Sequence, residues 1–533
     1  MAKVTIDQGT LIGKKCKTEN EYEYFEFLEI PYAKPPLGNL RFKNPQPPES
    51  WEGERYATTT KLDHVSLQFD LISKTTRGSE DCLYLNVYTP VLPADNSKPI
   101  PVMVYIHGGG FVCGSGTYKT ESGPEFLLEN DVIIVAINYR LTVFGFLSLD
   151  IPEAAGNMGL KDQVMALKWV QNNIGHFGGD KHNVTLFGIS AGGASIEYLI
   201  LSPLSADLFH RAILQSGSTL NHWTINYNIK ELTIKLALEL GYQGPSNDVA
   251  QIYNFLLEQP TKSLSDVAFT VSNINTAKGT YFGFVPSIEK DFGNGEAFLT
   301  EYPYNLLKEG RFNKVSVIRG FCEYEGFLLK GLKPVDVLEL MENQRFLDFW
   351  TYPLDSDDID KYNRKFKKVY IEENGVGDDD DKPIIDFIGD FDFTSGILIS
   401  AKLMAENGVS VHTYMFAYDG SLNVIKMIFG IKAKGACHGD DTNYTISSFS
   451  PPGTANPNKT DLLIRQRINK MWTDFAKSGN PVPNTSDLIP IRWPTYNNDN
   501  LNYLVIDKEL EIRSNYQPNR IAIFEEIYEK YLK

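Results

Sequence analysis

The sequence predicts an α/β fold, with one large, mostly parallel sheet covered by helices on both faces. Short apolar runs alternate along the chain with segments whose apolar residues recur at helical spacing, as expected of strands buried on both faces. Hydrophobic residues make up 42% and charged residues 22% of 533 positions, enough to bury a large core. No internal repeat, long linker or shift of composition divides the chain, so residues 1–533 read as a single domain.

The elements follow in order. The N-terminal MAKVTIDQGTLIGKK reads as a strand and turn. Val102–Ile106 (VMVYI) and Val132–Ile137 (VIIVAI) are uninterrupted apolar runs of strand length. Asp162–Ile174 (DQVMALKWVQNNI) carries its apolar residues at helical spacing. Val184–Phe187 (VTLF) predicts the next strand and Ala194–Leu201 the next helix. Val315–Ile318 (VSVI) and Val409–Phe416 (VSVHTYMF) predict later strands, and EEIYEKYLK ends the chain as an amphipathic helix. Glu372–Lys382, with its run of aspartates, and the turn-rich Ser448–Lys459 read as solvated loops.

Acidic residues outnumber basic ones by 67 to 51, a net charge of −16. That field repels phosphate backbones and anionic lipid heads, so neither nucleic acid nor membrane is expected as a partner. No apolar stretch is long enough to span a bilayer, and the N-terminus lacks the apolar segment of a secretory signal. Five scattered cysteines, Cys16, Cys82, Cys113, Cys322 and Cys437, indicate neither a zinc site nor a disulfide framework. The expectation is a soluble, cytoplasmic protein with reduced thiols.

The strongest chemical signal is Gly188-Ile189-Ser190-Ala191-Gly192, between the strand VTLF and a helix. A G-x-S-x-G turn in that context is a nucleophile elbow; the alternative is an ordinary tight turn. Such a serine needs donors for a developing oxyanion. His107-Gly108-Gly109-Gly110-Phe111 follows the strand VMVYI, and glycine-rich backbone can aim bare N–H groups at one oxygen. The N–H groups of Gly109, Gly110 and Ala191 are the expected donors. A phosphate-cradling loop is the weaker alternative, because neither G-x-G-x-x-G nor a following G-K-[ST] is present.

In the α/β-hydrolase chain order the acid and then the histidine follow the serine. His412 lies inside the strand VSVHTYMF, where a structural role is expected; His438 lies in the loop GACHGD and is the expected base. The acid falls in Gly320-Phe321-Cys322-Glu323-Tyr324-Glu325-Gly326, where the pattern leaves Glu323 and Glu325 open.

These residues resemble a type-B carboxylesterase of the cholinesterase-like α/β-hydrolase superfamily. Ile30-Pro31-Tyr32-Ala33-Lys34-Pro35-Pro36, Leu40-Arg41-Phe42, Glu80 to Tyr88 (EDCLYLNVY), Asn157 to Gln163 (NMGLKDQ), Phe177 through Gly192 and Gln215-Ser216-Gly217 carry the resemblance along nearly the whole chain. It implies Ser190, Glu325 and His438 as the catalytic set, because the family's glutamate directly precedes a glycine. It implies that Trp223 is an acyl-pocket aromatic, with a plain core tryptophan as the alternative, and that Arg41 and Glu80 form a structural ion pair. Phe111 and Ile189, beside the oxyanion loop and the nucleophile, are further expected substrate contacts.

Departures narrow the expectation. Secreted relatives pair the cysteine of the EDCLYLN segment with one upstream, where this chain has Ser66. No Trp lies between Ser66 and Glu80, and Ile189 stands where cholinesterases carry an acid and juvenile hormone esterases a glutamine. The resemblance therefore implies a general esterase for neutral hydrophobic esters, similar to insect intracellular detoxification or dietary enzymes, that uses no metal or organic cofactor. Slow-turnover sequestration, juvenile hormone esterase-like activity and a non-catalytic adhesion role are the alternatives.

Overall fold

Seven parallel strands run through the middle of a thirteen-stranded sheet in the computed structural model. It describes residues 1–70, 75–93, 98–118, 121–272, 282–328, 346–350, 354–373, 382–447, 456–497 and 499–532. In spatial order the seven are Ile133–Ile137, Ile100–Ile106, Gly179–Ile189, Arg211–Gln215, Ser316–Cys322, Val411–Phe416 and Asn502–Ile506. Tyr84–Thr89, Glu23–Pro31, Gly9–Lys17 and Ala2–Ile6 extend one flank antiparallel, and Leu510–Ser514 closes the other.

Both faces of the middle strands are buried, which is why these strands read as continuous apolar runs. Along Ile100–Ile106, Val102, Val104 and Ile106 enter one core cluster, while Met103 and Tyr105 enter the other. The helices Met158–Asn173, Ala191–Leu201 and Pro518–Tyr531 cover the first face. Lys459–Ser478 covers the second through Ile464, Ile468, Met471, Trp472 and Phe475.

Each predicted strand and helix is present, with shifted ends. The helix expected from Asp162 begins at Met158, because Met158 to Lys161 are buried and show no amphipathic contrast. The helix expected from Ala194 begins at Ala191, directly after Ser190, and all eleven of its residues are buried. Most of the two predicted loops lies outside the described residues, at 374–381 and 448–455. Among the described residues no helix is long and apolar enough to cross a membrane.

Arg41 and Glu80 form the expected ion pair, at 2.6 and 2.7 Å. Arg41 Nη1 also donates to the carbonyls of Leu257 (2.9 Å) and Gln259 (2.8 Å), so the pair ties the N-terminal segment to the end of the helix Val249–Leu257. Ser66 meets the Cys82 side chain, and burial pushes that thiol up to about 12.

Candidate active site

The predicted site residues converge at the carboxyl ends of the parallel strands, where open α/β sheets place their ligands. Ile100–Ile106 leads into the glycine loop and Gly179–Ile189 into Ser190. Arg211–Gln215 leads into Ser216, Ser316–Cys322 into Glu325 and Val411–Phe416 toward the His438 loop.

Ser190 has φ +57° and ψ −122°, a backbone state that costs a non-glycine residue about 1–3 kcal/mol. Its surroundings enforce that state. The Ser190 N–H donates to the Gln215 carbonyl at 2.8 Å, and its own carbonyl accepts from Ala194 N–H at 2.9 Å. A Cβ at Gly192 would overlap the Ile106 carbonyl oxygen, so the elbow accepts only glycine there. Ser190 stands at the N-terminus of the helix Ala191–Leu201, whose dipole favours negative charge.

Gly109 and Gly110 have φ of +104° and +62°. A Cβ on Gly110 would lie 2.7 Å from the Phe282 ring, so a side chain at this position is excluded by strain and by space. Among the described residues, the N–H groups of Gly109, Gly110 and Ala191 have no hydrogen-bond partner. Gly108 packs against the Ile189 carbonyl, which locks the glycine loop to the elbow. The His107 ring stacks on Tyr139 at 4.5 Å, and burial pulls its pKa down to about 4.

His438 Nδ1 lies 2.6 Å from Glu325 Oε2. An ionised carboxylate only accepts, so Nδ1 is the donor of this bond, which in a neutral imidazole leaves the lone pair on Nε2. The other carboxylate oxygen of Glu325 accepts from Ser216 Oγ at 2.6 Å and from Cys322 N–H at 2.7 Å. Glu325 is 1% exposed and His438 5%. Glu323, two residues earlier, is half-buried, and burial raises its pKa. Glu325 is therefore the carboxylate placed on the histidine. His412 stays in its strand, with its edge toward Trp493, and burial pulls it down to about 4.

The two loops also meet directly. A Cβ at Gly439 would lie 3.8 Å from Ile189 Cδ1, so the neighbours of His438 and Ser190 lie close together. Gln215, whose carbonyl holds Ser190, donates from Nε2 to Asp441 at 2.9 Å. Burial raises Asp441 and pushes Asp440 up to about 7. Ile189 is thus placed against the His438 loop. Phe111 has no accessible surface; its ring packs on Phe146 and lies 6.3 Å from Trp223, so it supports that tryptophan.

Trp223 is buried, and its indole N–H donates to the Asp392 carbonyl at 2.8 Å. It packs edge-on against Phe282 at 5.9 Å and against Phe393 at 5.7 Å. Phe282 and Phe393 carry no motif of their own, and the sequence alone does not single them out; Ser216 lies in the Gln215-Ser216-Gly217 motif, but its bond to Glu325 is not readable there. A buried ion pair also escapes sequence reasoning. Arg319 Nη1 lies 2.9 Å from Glu197 Oε1, and Glu197 Oε2 accepts from Ser218 Oγ and Thr219 N–H, both at 2.6 Å. Burial pushes the Glu197 carboxyl up, but Arg319 and these bonds hold it below its usual range. This pair fixes the turn just after Ser216. Among the described residues no three His, Cys, Asp or Glu side chains are grouped to hold a metal ion.

Comparison with known proteins gives a consistent answer. A model of the carboxylesterase family matches residues 1–524. Esterase FE4 of Myzus persicae is 34% identical over 504 residues, covering 91% of this chain and 86% of that protein. Juvenile hormone esterase of Tribolium castaneum is 34% identical, covering 92% and 85%. Carboxylesterase 1E of Rattus norvegicus is 31% identical, covering 98% and 92%.

Proposed function

This chain belongs to the carboxylesterase family and hydrolyses carboxylic esters, and from that premise we propose a Ser190–His438–Glu325 acyl-enzyme mechanism acting on neutral hydrophobic esters. The observation that carries it is the 2.6 Å contact between His438 Nδ1 and Glu325, made beside the Ser190 elbow. With its proton on Nδ1, His438 accepts the Ser190 hydroxyl proton at Nε2. Ser190 Oγ bonds to the ester carbonyl carbon, and the carbonyl oxygen takes the negative charge. The N–H groups of Gly109, Gly110 and Ala191 hold that oxygen; in such sites one donor matters by about 10²–10³ in kcat. His438 then gives its proton to the alcohol oxygen as the C–O bond breaks. Water, deprotonated by the same nitrogen, attacks the acyl-enzyme and releases the acid and Ser190.

Electrostatics support neutral substrates. Ile189 stands where a charged neighbour would favour a cation, and Trp223, Phe282 and Phe393 offer rings beside the oxyanion loop and His438. We further propose a role in xenobiotic or dietary ester metabolism in the cytoplasm. The serine beside Cys82 supports a reducing compartment. The test is hydrolysis of p-nitrophenyl butyrate by the native enzyme, Ser190→Ala and His438→Gln. Turnover by the native enzyme, lost in both variants, is expected; turnover that survives in Ser190→Ala would overturn the mechanism.

A further inference from the structure

The helix that begins at Lys382 does not run regularly to Glu406. Lys382–Gly389 and Ser395–Glu406 are α-helical, and between them Asp390–Thr394 forms one π-turn whose five residues are all buried. Single π-turns inside helices frequently mark functional sites, because the wider turn re-aims side chains and carbonyls. Here two consecutive residues of that turn grip three consecutive residues at Trp223. The Asp392 carbonyl accepts from the Trp223 indole at 2.8 Å, and the Phe393 carbonyl accepts from Asn221 Nδ2 at 2.9 Å. Asp392 Oδ1 lies 2.7 Å from His222 Nε2.

The Phe393 side chain points the other way along the site. Its ring stacks on the His438 imidazole, with centroids 4.1 Å apart and planes 28° apart. It also lies 5.7 Å from Trp223, which packs edge-on against Phe282, the ring that closes on Gly110. His438, Phe393, Trp223, Phe282 and Gly110 therefore form one continuous wall, from the imidazole to the oxyanion loop.

Two consequences follow from this geometry. Glu325 holds the imidazole at a single nitrogen, which leaves the ring free to tilt about that bond. A flat aromatic face at 4.1 Å removes that freedom. A wall of three large rings also leaves little room for the acyl chain on this side. We propose that Phe393, set by the π-turn, positions His438 and limits the acyl side to short chains, making the substrates esters of short-chain acids. This inference rests on the assignment of His438 as the base and of Trp223 to the acyl side.

The test measures kcat and KM for p-nitrophenyl acetate, butyrate, hexanoate and octanoate with the native enzyme, Phe393→Ala and Phe393→Leu. Each preparation is titrated with a fluorophosphonate to count competent sites, and its melting temperature is recorded. In Phe393→Ala the ratio of kcat/KM for octanoate over acetate should rise by about 10-fold or more, since a single methylene in an apolar pocket is worth about 10–200-fold. In Phe393→Leu, which restores bulk without a flat face, kcat for acetate should fall by about 10-fold with little change in KM, the mark of a misplaced catalytic group. An unchanged chain-length ratio in Phe393→Ala, or an unchanged kcat in Phe393→Leu, overturns the inference. If Phe393→Ala does not fold, Phe393→Leu still decides the positioning role and Phe393→Val the chain-length limit. His438→Gln in the same assay separates the premises: if it keeps turnover, the base assignment fails. If it is inactive while the Phe393 variants behave as native, only this inference fails.

Discussion

Replacing Glu325 by glutamine tests how the acid works. One oxygen of Glu325 accepts from Ser216 Oγ and Cys322 N–H, and the other faces His438 Nδ1. In Glu325→Gln the amide oxygen must keep the first position. Turning the amide would set its NH₂ against the Cys322 N–H and strand a buried donor, at a cost of about 1–3 kcal/mol. The NH₂ then faces His438, whose Nδ1 must present a lone pair. The imidazole proton moves to Nε2, and the ring can no longer accept a proton from Ser190. A preference of about 1–3 kcal/mol alone leaves roughly one-sixth to less than one-hundredth of the molecules competent. The lost charge opposite the imidazolium adds to this, and the wrong tautomer in a serine hydrolase costs about 10⁴ in kcat. We expect kcat/KM for p-nitrophenyl butyrate at neutral pH to fall by about 10³–10⁴, with KM within about 3-fold of native. A Glu325→Gln enzyme that keeps more than about a sixth of native kcat/KM would refute this reasoning, since the amide preference alone leaves no more than that.

Three further outcomes concern stability and covalent structure. His412 is buried with a pKa near 4, below the 6.5 of the unfolded chain, so it stabilises the fold above pH 6.5 and that stability is lost as pH falls toward 4. In His412→Phe, the stability lost between pH 7 and pH 4.5, read from urea melts, should shrink by about 2–3 kcal/mol. Arg319→Met leaves Glu197 buried without its cation and should cost about 3–5 kcal/mol; adding Glu197→Gln should recover at least about 1 kcal/mol of this in the same melts. In Ser66→Cys, the new thiol meets Cys82, and air oxidation should remove two thiols by labelling and stabilise the fold by about 3 kcal/mol, the value for a loop of this length.

The middle of the sheet was legible because its strands are buried on both faces and so spell out apolar runs such as VMVYI and VIIVAI. The flanking strands Gly9–Lys17 and Glu23–Pro31 mix charged and apolar residues, and only the hairpin context makes them strands. Arg211–Gln215 and Asn502–Ile506 are five residues each, and their apolar runs, AIL and YLVI, are too short to stand out. At the site, the elbow and the glycine loop are legible because tight backbone turns demand glycine at fixed spacing. The contest between Glu323 and Glu325 has no local answer. It depends on Ser216 and Cys322 N–H, two donors brought from separate strand ends. Phe393 was hidden for a different reason. IGDFDFTSG reads as an ordinary helical stretch, and a turn with one extra residue leaves no mark on hydrophobic periodicity.

In the proposed mechanism Ser190 Oγ is the nucleophile that carries the acyl group. The most direct measurement is to treat the native enzyme with a fluorophosphonate, follow the loss of esterase activity, and locate the adduct by peptide mass spectrometry. One adduct per chain is expected, on Ser190, with activity falling in step with labelling and no adduct in Ser190→Ala. Activity that survives full labelling of Ser190, or an adduct on another residue that tracks the loss, would contradict it.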